Sequence, residues 1–243
     1  MATKKSNVWK ITPEQVRILS NCQRVNDIIL IKASAEAVIS VDALDESFTM
    51  IYINEQFDYP ISKEIIAHSL SEILKSAKNI NEPRIVLTDD RISVTDKEGN
   101  IRCNYLYADD NLVVDIRGIY DAYNNIITGI KEDADRYVFK ITDNEFNLIR
   151  KFISFGHNSL SFVNGKIIIY DNTASSDVSL KDNIEIKIPK CDSIGNDFRL
   201  DIDIALFKKM QPGNYNCSLS SQGLALFEQT DGGNIYGIVS NII

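Results

Sequence analysis

The sequence predicts an α+β fold built from two similar domains in tandem. The phrase Trp9-Lys10-Ile11-Thr12 recurs 130 residues later as Phe139-Lys140-Ile141-Thr142. Each copy leads into a helical segment that opens with acidic residues, and short β-branched stretches separated by polar turns follow in both halves. A repeat at this spacing in a chain of 243 residues indicates two domains, each about half the chain.

The first half is predicted to run helix, strands, helix, strands. The first helix covers 12–26. The second begins at Ser62 as its N-cap, carries Glu64 in its first turn and ends at Ala77. Short β-branched stretches are typical of strands in an antiparallel meander. They lie at 27–33, 37–41, 47–53, 84–88, 92–95 and 101–107.

The second half is predicted to repeat this order. Its helices cover 142–156 and, in a shorter form, 204–210. Asn164-Gly165 is typical of a hairpin turn between two strands. The predicted strands of this half lie at 159–163, 166–170, 183–188, 215–220, 224–229 and 234–242.

The repeat divides the chain into a domain at 1–107, an interdomain crossing at 108–136 and a domain at 137–243. The crossing is rich in aspartate and tyrosine, but its apolar content is too high for a disordered linker. We therefore expect part of it to be ordered on a domain surface or to complete a sheet.

Composition excludes several classes of protein. The chain is 44% hydrophobic and 25% charged, as in soluble globular proteins. No apolar run approaches the roughly 18–20 residues of a membrane span, and the polar start lacks the apolar segment of a secretory signal. The four cysteines lie far apart with no Cys-x-x-Cys pair, so we expect reduced thiols, a cytoplasmic location and no metal site.

An enzyme is the first alternative, and the sequence offers little chemistry for it. His68 and His157 are the two histidines, and neither lies beside a nucleophile motif or a phosphate-binding or zinc-binding signature. The pairs Asp89-Asp90 and Asp109-Asp110 could bind a metal, but adjacent aspartates in turn-rich sequence are more often solvated loop residues. We predict no catalytic residue and no cofactor.

The distribution of charge is more informative than its sum. A net charge of −8 argues against a protein whose whole surface coats nucleic acid. However, the windows 12–26, 63–78, 142–156 and 202–210 together carry a net charge of +3, which leaves −11 for the rest of the chain. Acidic residues in these windows fall mostly in first turns, where the helix dipole favours them.

These cations share polar helix faces. Helical spacing places Arg17 and Arg24 with Ser20 and Asn21, opposite an apolar face. One such face is usually only solvated, but four in an acidic chain favour a surface that slides along phosphates. The basic residues and the histidine on these four faces are Arg17, Arg24, His68, Lys75, Lys78, Arg150, Lys151, Lys208 and Lys209.

The segment Lys209-Met210-Gln211-Pro212-Gly213-Asn214-Tyr215 ends a lysine-rich helix and starts a strand. It closely resembles the C-terminal part of the sliding clamp of T-even-type bacteriophages, a DNA polymerase processivity factor. The strands that follow, over 225–228 and 234–239, are similar in kind. The resemblance is strong over 197–240, weaker over 139–170 and only architectural over 9–107.

That resemblance implies two DNA-clamp domains per subunit, each with two helices packed on antiparallel β-sheet. Three subunits would form a homotrimeric ring of six domains around double-stranded DNA, with the helices lining the hole. The nine residues on the basic helix faces would then face the DNA. The ring would tether the replicative DNA polymerase, would be loaded by an ATP-dependent clamp loader and would support late transcription with an RNA polymerase-associated factor. All of this would take place in the cytoplasm of the infected bacterial host.

Partner peptides would dock on the outer face, and we predict Tyr120 and Tyr123 at one border of their groove. The first half departs from the family because 54–66 and 108–136 match nothing in it residue by residue. The second alternative is a phage structural or adaptor protein built of repeated β-domains, which would explain the repeat and the acidity but not the basic helix faces.

Overall fold

The computed structural model describes residues 8–32, 37–44, 47–58, 64–107, 116–133, 136–155, 157–163, 165–170, 183–187 and 199–239. The chain divides into two compact units. Unit 1 comprises Met1–Glu46 and Ile51–Tyr120, and unit 2 comprises Ser47–Met50 and Asp121–Ile243. The main boundary, between residues 120 and 121, falls inside the segment 108–136 that was predicted as the crossing.

The first part of the chain contains two helices and eight strands within the described residues. Its elements in chain order are β1 (Val8–Lys10), α1 (Pro13–Val25), β2 (Ile29–Lys32), β3 (Ala37–Leu44), β4 (Ser47–Asn54), β5 (Ile65–Ala67), α2 (Leu70–Asn79), β6 (Arg84–Leu87), β7 (Arg91–Thr95) and β8 (Arg102–Leu106).

The second part opens with a helix and then follows the same order. Its elements are α3 (Ile116–Glu132), β9 (Tyr137–Ile141), α4 (Asp143–Ile153), β10 (Ser159–Val163), β11 (Lys166–Tyr170), β12 (Ile184–Lys187), β13 (Arg199–Asp203), α5 (Ile204–Lys209), β14 (Tyr215–Ser220), β15 (Leu224–Gln229) and β16 (Asn234–Val239).

With α3 set aside, the chain is four copies of one motif: a strand, a helix and three strands. Within each unit the two motifs exchange their first strands. In unit 1, β1 pairs with β6 of the second motif and β5 pairs with β2 of the first. In unit 2, β9 pairs with β14 and β13 pairs with β10. The strand order is β1-β6-β7-β8 in one four-stranded sheet and β12-β11-β10-β13 in another. The remaining strands follow the orders β5-β2-β3-β4 and β9-β14-β15-β16.

The repeated phrase of the sequence is the entry of a strand into a capped helix. In α1, the Thr12 side chain accepts from the Gln15 backbone N–H at 3.1 Å, and the Gln15 side chain accepts from the Thr12 N–H at 2.9 Å. Thr142 and Glu145 make the same capping box at α4. These reciprocal bonds satisfy backbone donors that a helix start leaves open, so both copies start their helix at the same point.

The core of unit 2 is aromatic. Phe146 of α4 stacks on Phe207 of α5, with ring centroids 4.7 Å apart, and on Tyr215 of β14 at 5.3 Å. Phe227 of β15 meets the Phe207 ring edge-on at 6.4 Å. Aromatic pairs in these geometries add about 0.5–1.5 kcal/mol each beyond the area that they bury. Helices α4 and α5 are therefore fixed to each other and to their sheet by one cluster of rings.

The predicted start of the second helix was wrong. It was predicted from Ser62, but α2 begins at Leu70, and Ile65–Ala67 form β5 instead. The start of α2 is capped from a distance: the Asp27 carboxylate accepts from the Ser71 backbone N–H at 2.6 Å and from the Ser71 hydroxyl at 3.2 Å. The local N-cap residue, Ser69, makes no side-chain capping bond. Ser62 itself lies outside the described residues.

Other differences concern short or unmarked elements. The sequence did not predict α3, nor the strands β1, β9 and β13. The remaining helices and strands are confirmed to within a few residues, with 12–26 observed as Pro13–Val25 and 142–156 as Asp143–Ile153. The eleven strand pairs with a defined register are antiparallel, so the predicted α+β class with antiparallel sheets is confirmed.

Candidate nucleic-acid interface

Each of the four motif helices buries an apolar face and exposes a basic one. In α1, Ile18, Cys22 and Val25 are buried whereas Arg17 and Arg24 are exposed. The same division separates buried Ile73 and Ala77 from exposed Lys75 and Lys78 in α2, and buried Phe146 and Ile149 from exposed Lys151 in α4. In α5, Leu206 and Phe207 are buried and Lys208 is exposed. Asn21 was predicted on the polar face of α1, but it is buried.

Basic residues occupy the last turn of all four motif helices. They are Arg24 in α1, Lys78 in α2, Arg150 and Lys151 in α4, and Lys208 and Lys209 in α5. The negative end of a helix dipole favours cations by about 0.3–1 kcal/mol each, so these residues also stabilise their own helices. The shared feature is a positively charged helix end repeated four times.

Two of the predicted cations are paired with a carboxylate on their own helix. Arg17 contacts Glu14 at 2.6 Å, and Lys75 contacts Glu72 at 2.6 Å. The Arg17 hydrogen bond lowers the pKa of Glu14, and the Glu72 hydrogen bond raises the pKa of Lys75. Exposed ion pairs between neighbouring turns of one helix contribute little to stability. A phosphate could therefore replace either carboxylate at small cost.

His68 does not lie on a helix, contrary to the predicted stripe on the second helix. It precedes α2, and its Nδ1 lies 2.9 Å from the Ser69 hydroxyl oxygen. His68 is half-buried and contacts Ser69, and because it precedes α2 it does not share the helix face of Lys75 and Lys78.

The structure brings the cations together in pairs of helices. In unit 1, α1 packs directly against α2, so Arg17 and Arg24 lie on a helix next to that of Lys75 and Lys78. In unit 2, the stacked rings of Phe146 and Phe207 join α4 to α5. Each unit therefore presents two adjacent helices with positively charged ends.

Tyr120 and Tyr123 lie on α3 and are buried, with exposed fractions of 7% and 2%. The Lys32 ammonium lies 4.4 Å from the centre of the Tyr120 ring, within the range of a cation–π contact. These buried rings offer a partner little surface, so their place at the border of a peptide groove stays a prediction.

The segment 209–215 builds structure around the last helix. The Asn214 side-chain oxygen accepts from the Asp143 backbone N–H at 2.9 Å, at the first turn of α4, and the Asn214 carbonyl accepts from Thr230 at 2.9 Å. The Tyr215 hydroxyl donates to the Gln211 carbonyl at 2.6 Å, and burial raises the pKa of Tyr215. The segment thus joins the end of α5 to the start of α4.

Gly213 in this segment allows a close approach by Gln229. A Cβ at residue 213 would lie 2.2 Å from the Gln229 side-chain nitrogen, which donates to the Pro212 carbonyl at 3.2 Å. Any larger residue would displace this hydrogen bond. The residue types of the segment 209–215, which carries the resemblance, are therefore explained by local packing and hydrogen bonding.

The sequence did not single out four exposed residues on the edge strands. Val8 and Lys10 of β1 are exposed, as are Val138 and Lys140 of β9. They hold equivalent places in the repeat, since a valine precedes the aromatic residue in both copies. The valine repeated at residues 8 and 138 was the sequence pattern that could have indicated these positions.

The described residues hold no group of three or more histidine, cysteine, aspartate or glutamate side chains that could bind a metal ion. In the same part of the chain, no helix combines the length and apolarity needed to cross a bilayer.

Solved structures of DNA sliding clamps resemble this chain. Caulobacter crescentus pol III beta aligns over 100% of this chain and 68% of its own, with a TM-score of 0.65 and 11% identity. The DNA polymerase sliding clamp from Pseudomonas aeruginosa aligns over 100% and 69%, with a TM-score of 0.64 and 13% identity. The chain has the sliding-clamp fold. No family model and no curated protein matches the sequence.

A third neighbour is closer to this chain in length. A chain of the PCNA2-PCNA3 complex from Sulfolobus tokodaii aligns over 96% of this chain and 99% of its own, with a TM-score of 0.57 and 13% identity. The sliding-clamp fold therefore occurs with one chain about as long as this one and with others about half as long again.

Proposed function

We propose that this protein is a sliding clamp that encircles double-stranded DNA and tethers a replicative DNA polymerase. The observation that carries the proposal is the positively charged last turn on all four motif helices, in a chain that has the sliding-clamp fold. The chain would act without chemistry of its own. Enclosure of DNA would raise the effective concentration of the polymerase at the primer, so the polymerase would rarely be lost from the DNA.

The helix ends would face DNA without reading its sequence. Arg24, Lys78, Lys151 and Lys208 are long cations, which suit contacts to phosphates. Distributed contacts of this kind let a protein slide, because each is weak and none distinguishes one base pair from another. The same role is proposed for Arg17, Lys75, Arg150 and Lys209, and a peripheral one for His68.

We propose a homotrimer. Two units per chain and three chains give a ring of six units, which is the size that the resemblance to the T-even-type clamp implies. The match over 99% of the Sulfolobus tokodaii chain supports two units per subunit. The sliding clamps from Pseudomonas aeruginosa are longer, and this chain spans 67–69% of their length.

A closed head-to-tail ring needs two different surfaces on each subunit. We assign these to the strands β8 and β12, which are outer strands of their sheets in the described chain. Ile101 immediately precedes β8 and is 52% exposed, and Leu106 at the end of β8 is 60% exposed. Strand β12 offers the half-buried Ile184 and Ile186. Pairing of β8 with β12 of the next subunit would satisfy open backbone groups and cover these apolar side chains. We call this the proposed subunit junction.

The partners follow from the resemblance carried by Lys209–Tyr215. We propose an ATP-dependent clamp loader, a replicative polymerase of a T-even-type phage and an RNA polymerase-associated late factor, in the cytoplasm of an infected bacterium. The domain limits 1–107 and 137–243, with 108–136 between them, belong to the same proposal.

Primer extension on singly primed circular DNA tests this function. With loader and ATP, the protein should lengthen the product made in one polymerase binding event, and omission of loader or ATP should remove the effect. Native mass spectrometry of the same preparation should give three subunits. A stable single subunit that leaves product length unchanged would instead support a structural or adaptor protein.

A further inference from the structure

A groove borders the edge strand β9, mainly on the side of the sheet that faces away from α4, and reaches Thr142 and Glu145 at the start of that helix. Tyr215 lies directly opposite Ile141 in the sheet, and Phe146 of α4 stacks on Tyr215. Side chains alternate along a strand, so Val138 and Lys140 point to the other face. The groove there has a volume of about 590 Å³. We call it the β9 groove.

The wall and floor of the β9 groove are rich in cations. Lys140, Asn216 and Glu228 form a row across three strands. Lys131, at the end of α3, contacts Glu228 at 2.9 Å, and this contact places the helix end at one wall. The Arg136 guanidinium donates to the Lys131 main-chain carbonyl, which holds it beside the groove.

The two carboxylates of the β9 groove already have partners. Glu228 pairs with Lys131, and Glu145 accepts from the Thr142 backbone N–H at 2.7 Å in the capping box. Arg136 and Lys140 therefore give the groove a positive character in a chain whose net charge is −8. An anionic ligand would complement it.

Unit 1 repeats this arrangement beside β1. Val8, Lys10, Arg84, Lys97 and Glu82 line a groove of about 610 Å³. Lys10 lies directly opposite Arg84 in the sheet, and like charges in this position destabilise a strand pair. The Glu82 carboxylate lies 3.6 Å from the Lys97 ammonium nitrogen. A carboxylate between Lys10 and Arg84 would relieve their repulsion.

We propose that the grooves beside β9 and β1 bind an acidic, extended segment of a protein partner. Within the described residues each groove is bordered by an outer strand of a sheet, and an extended peptide can lie along such a strand. Alternate side chains of the peptide would then face the exposed valine and lysine. The choice of a protein rather than DNA rests on the proposed function, which places DNA at the helix ends, on the opposite side of the unit 2 sheet.

Fluorescence anisotropy with a short capped peptide of alternating threonine and aspartate tests the proposal on the full chain at low salt. The peptide should bind, and its counterpart with lysine for aspartate should not. Lys140→Glu combined with Lys10→Glu should weaken binding roughly tenfold, the range expected when charge-assisted hydrogen bonds are lost. Neutral Lys140→Gln with Lys10→Gln should weaken it less.

Lys151→Glu on α4 is the matched control, because it changes an exposed cation of the helix side. It should leave peptide binding unchanged while it slows clamp loading, and the Lys10 and Lys140 variants should do the opposite. Equal binding of the two peptides, or of wild type and the charge-reversed variant, would overturn the proposal. Loss of duplex DNA binding in Lys140→Glu as large as in Lys151→Glu would also overturn it, because the grooves would then serve nucleic acid.

This design separates the two proposals. Peptide binding is measured without DNA, loader or polymerase, so it can succeed even if the protein confers no processivity. Amide chemical shifts in the strands provide an independent readout. Changes should concentrate in 8–10 and 137–141 when the acidic peptide is added, and changes confined to other strands would contradict the assignment.

Discussion

At the residue scale, the structure separates cations by their surroundings. Arg17 and Lys75 already contact a carboxylate of their own helix. Lys208, by contrast, is exposed at the end of a six-residue helix whose other face carries the buried Phe207. Charge at such a short helix end can be changed without removing any part of the core. The end of α5 is therefore the clearest place to test the role of charge.

Reversal of this charge by Lys208→Glu with Lys209→Glu should slow loading onto primed DNA roughly tenfold, which is within the range by which electrostatic steering changes association rates. The loss should shrink as salt rises, because salt screens the attraction. Stopped-flow loading assays at several salt concentrations measure both effects. Lys140→Glu, a cation on the sheet side, is the control and should load normally; a tenfold loss there would show that the effect is not specific to helix ends.

At the element scale, local signals decided what the sequence could predict. The capping boxes of α1 and α4 lie within four residues of chain, so Thr12 and Thr142 marked both helix starts. The cap of α2 comes from Asp27, 44 residues before Ser71, and no local pattern shows it. Helix α3 has no acidic residue in its first turn, so its start carried no signal either.

The distant cap gives a test of this explanation. Asp27→Ala should lower the free energy of unfolding by about 1–2 kcal/mol, because two donors at the start of α2 lose their acceptor. Urea denaturation followed by circular dichroism measures the change. Ser69→Gly is the matched control: its φ of 58° suits glycine and its side chain makes no capping bond, so only the contact with His68 is lost and stability should fall far less than in Asp27→Ala. Equal losses in both variants would contradict a capping role for Asp27.

At the scale of the whole molecule, four copies of one motif explain why a short phrase predicted so much. The phrase marked two of the four motifs, and those at β5 and β13 lack it. The cationic helix ends could be found from helical spacing alone. The grooves beside β1 and β9 could not, since they depend on strand pairing such as that of Lys10 with Arg84.

The proposed subunit junction is tested by Leu106→Asp. Leu106 is 60% exposed in the single chain, so the substitution should leave the fold intact. Burial of a leucine contributes about 1.5–3 kcal/mol, so its loss should shift native mass spectra from three subunits towards one at micromolar concentration. Val8→Asp changes an exposed valine on β1, the opposite outer strand of the same sheet, and should keep the trimer. Dissociation by both variants, or by neither, would exclude β8.

The claim that a ring encloses DNA is tested most directly by retention on circular and linear DNA. Fluorescently labelled protein is loaded onto a nicked circular plasmid, free protein is removed, and release is followed before and after one restriction cut. A closed ring should remain on the circle for many minutes and leave quickly once the DNA has ends, by sliding off. Equal release rates from the circle and from the cut plasmid would contradict enclosure of the DNA.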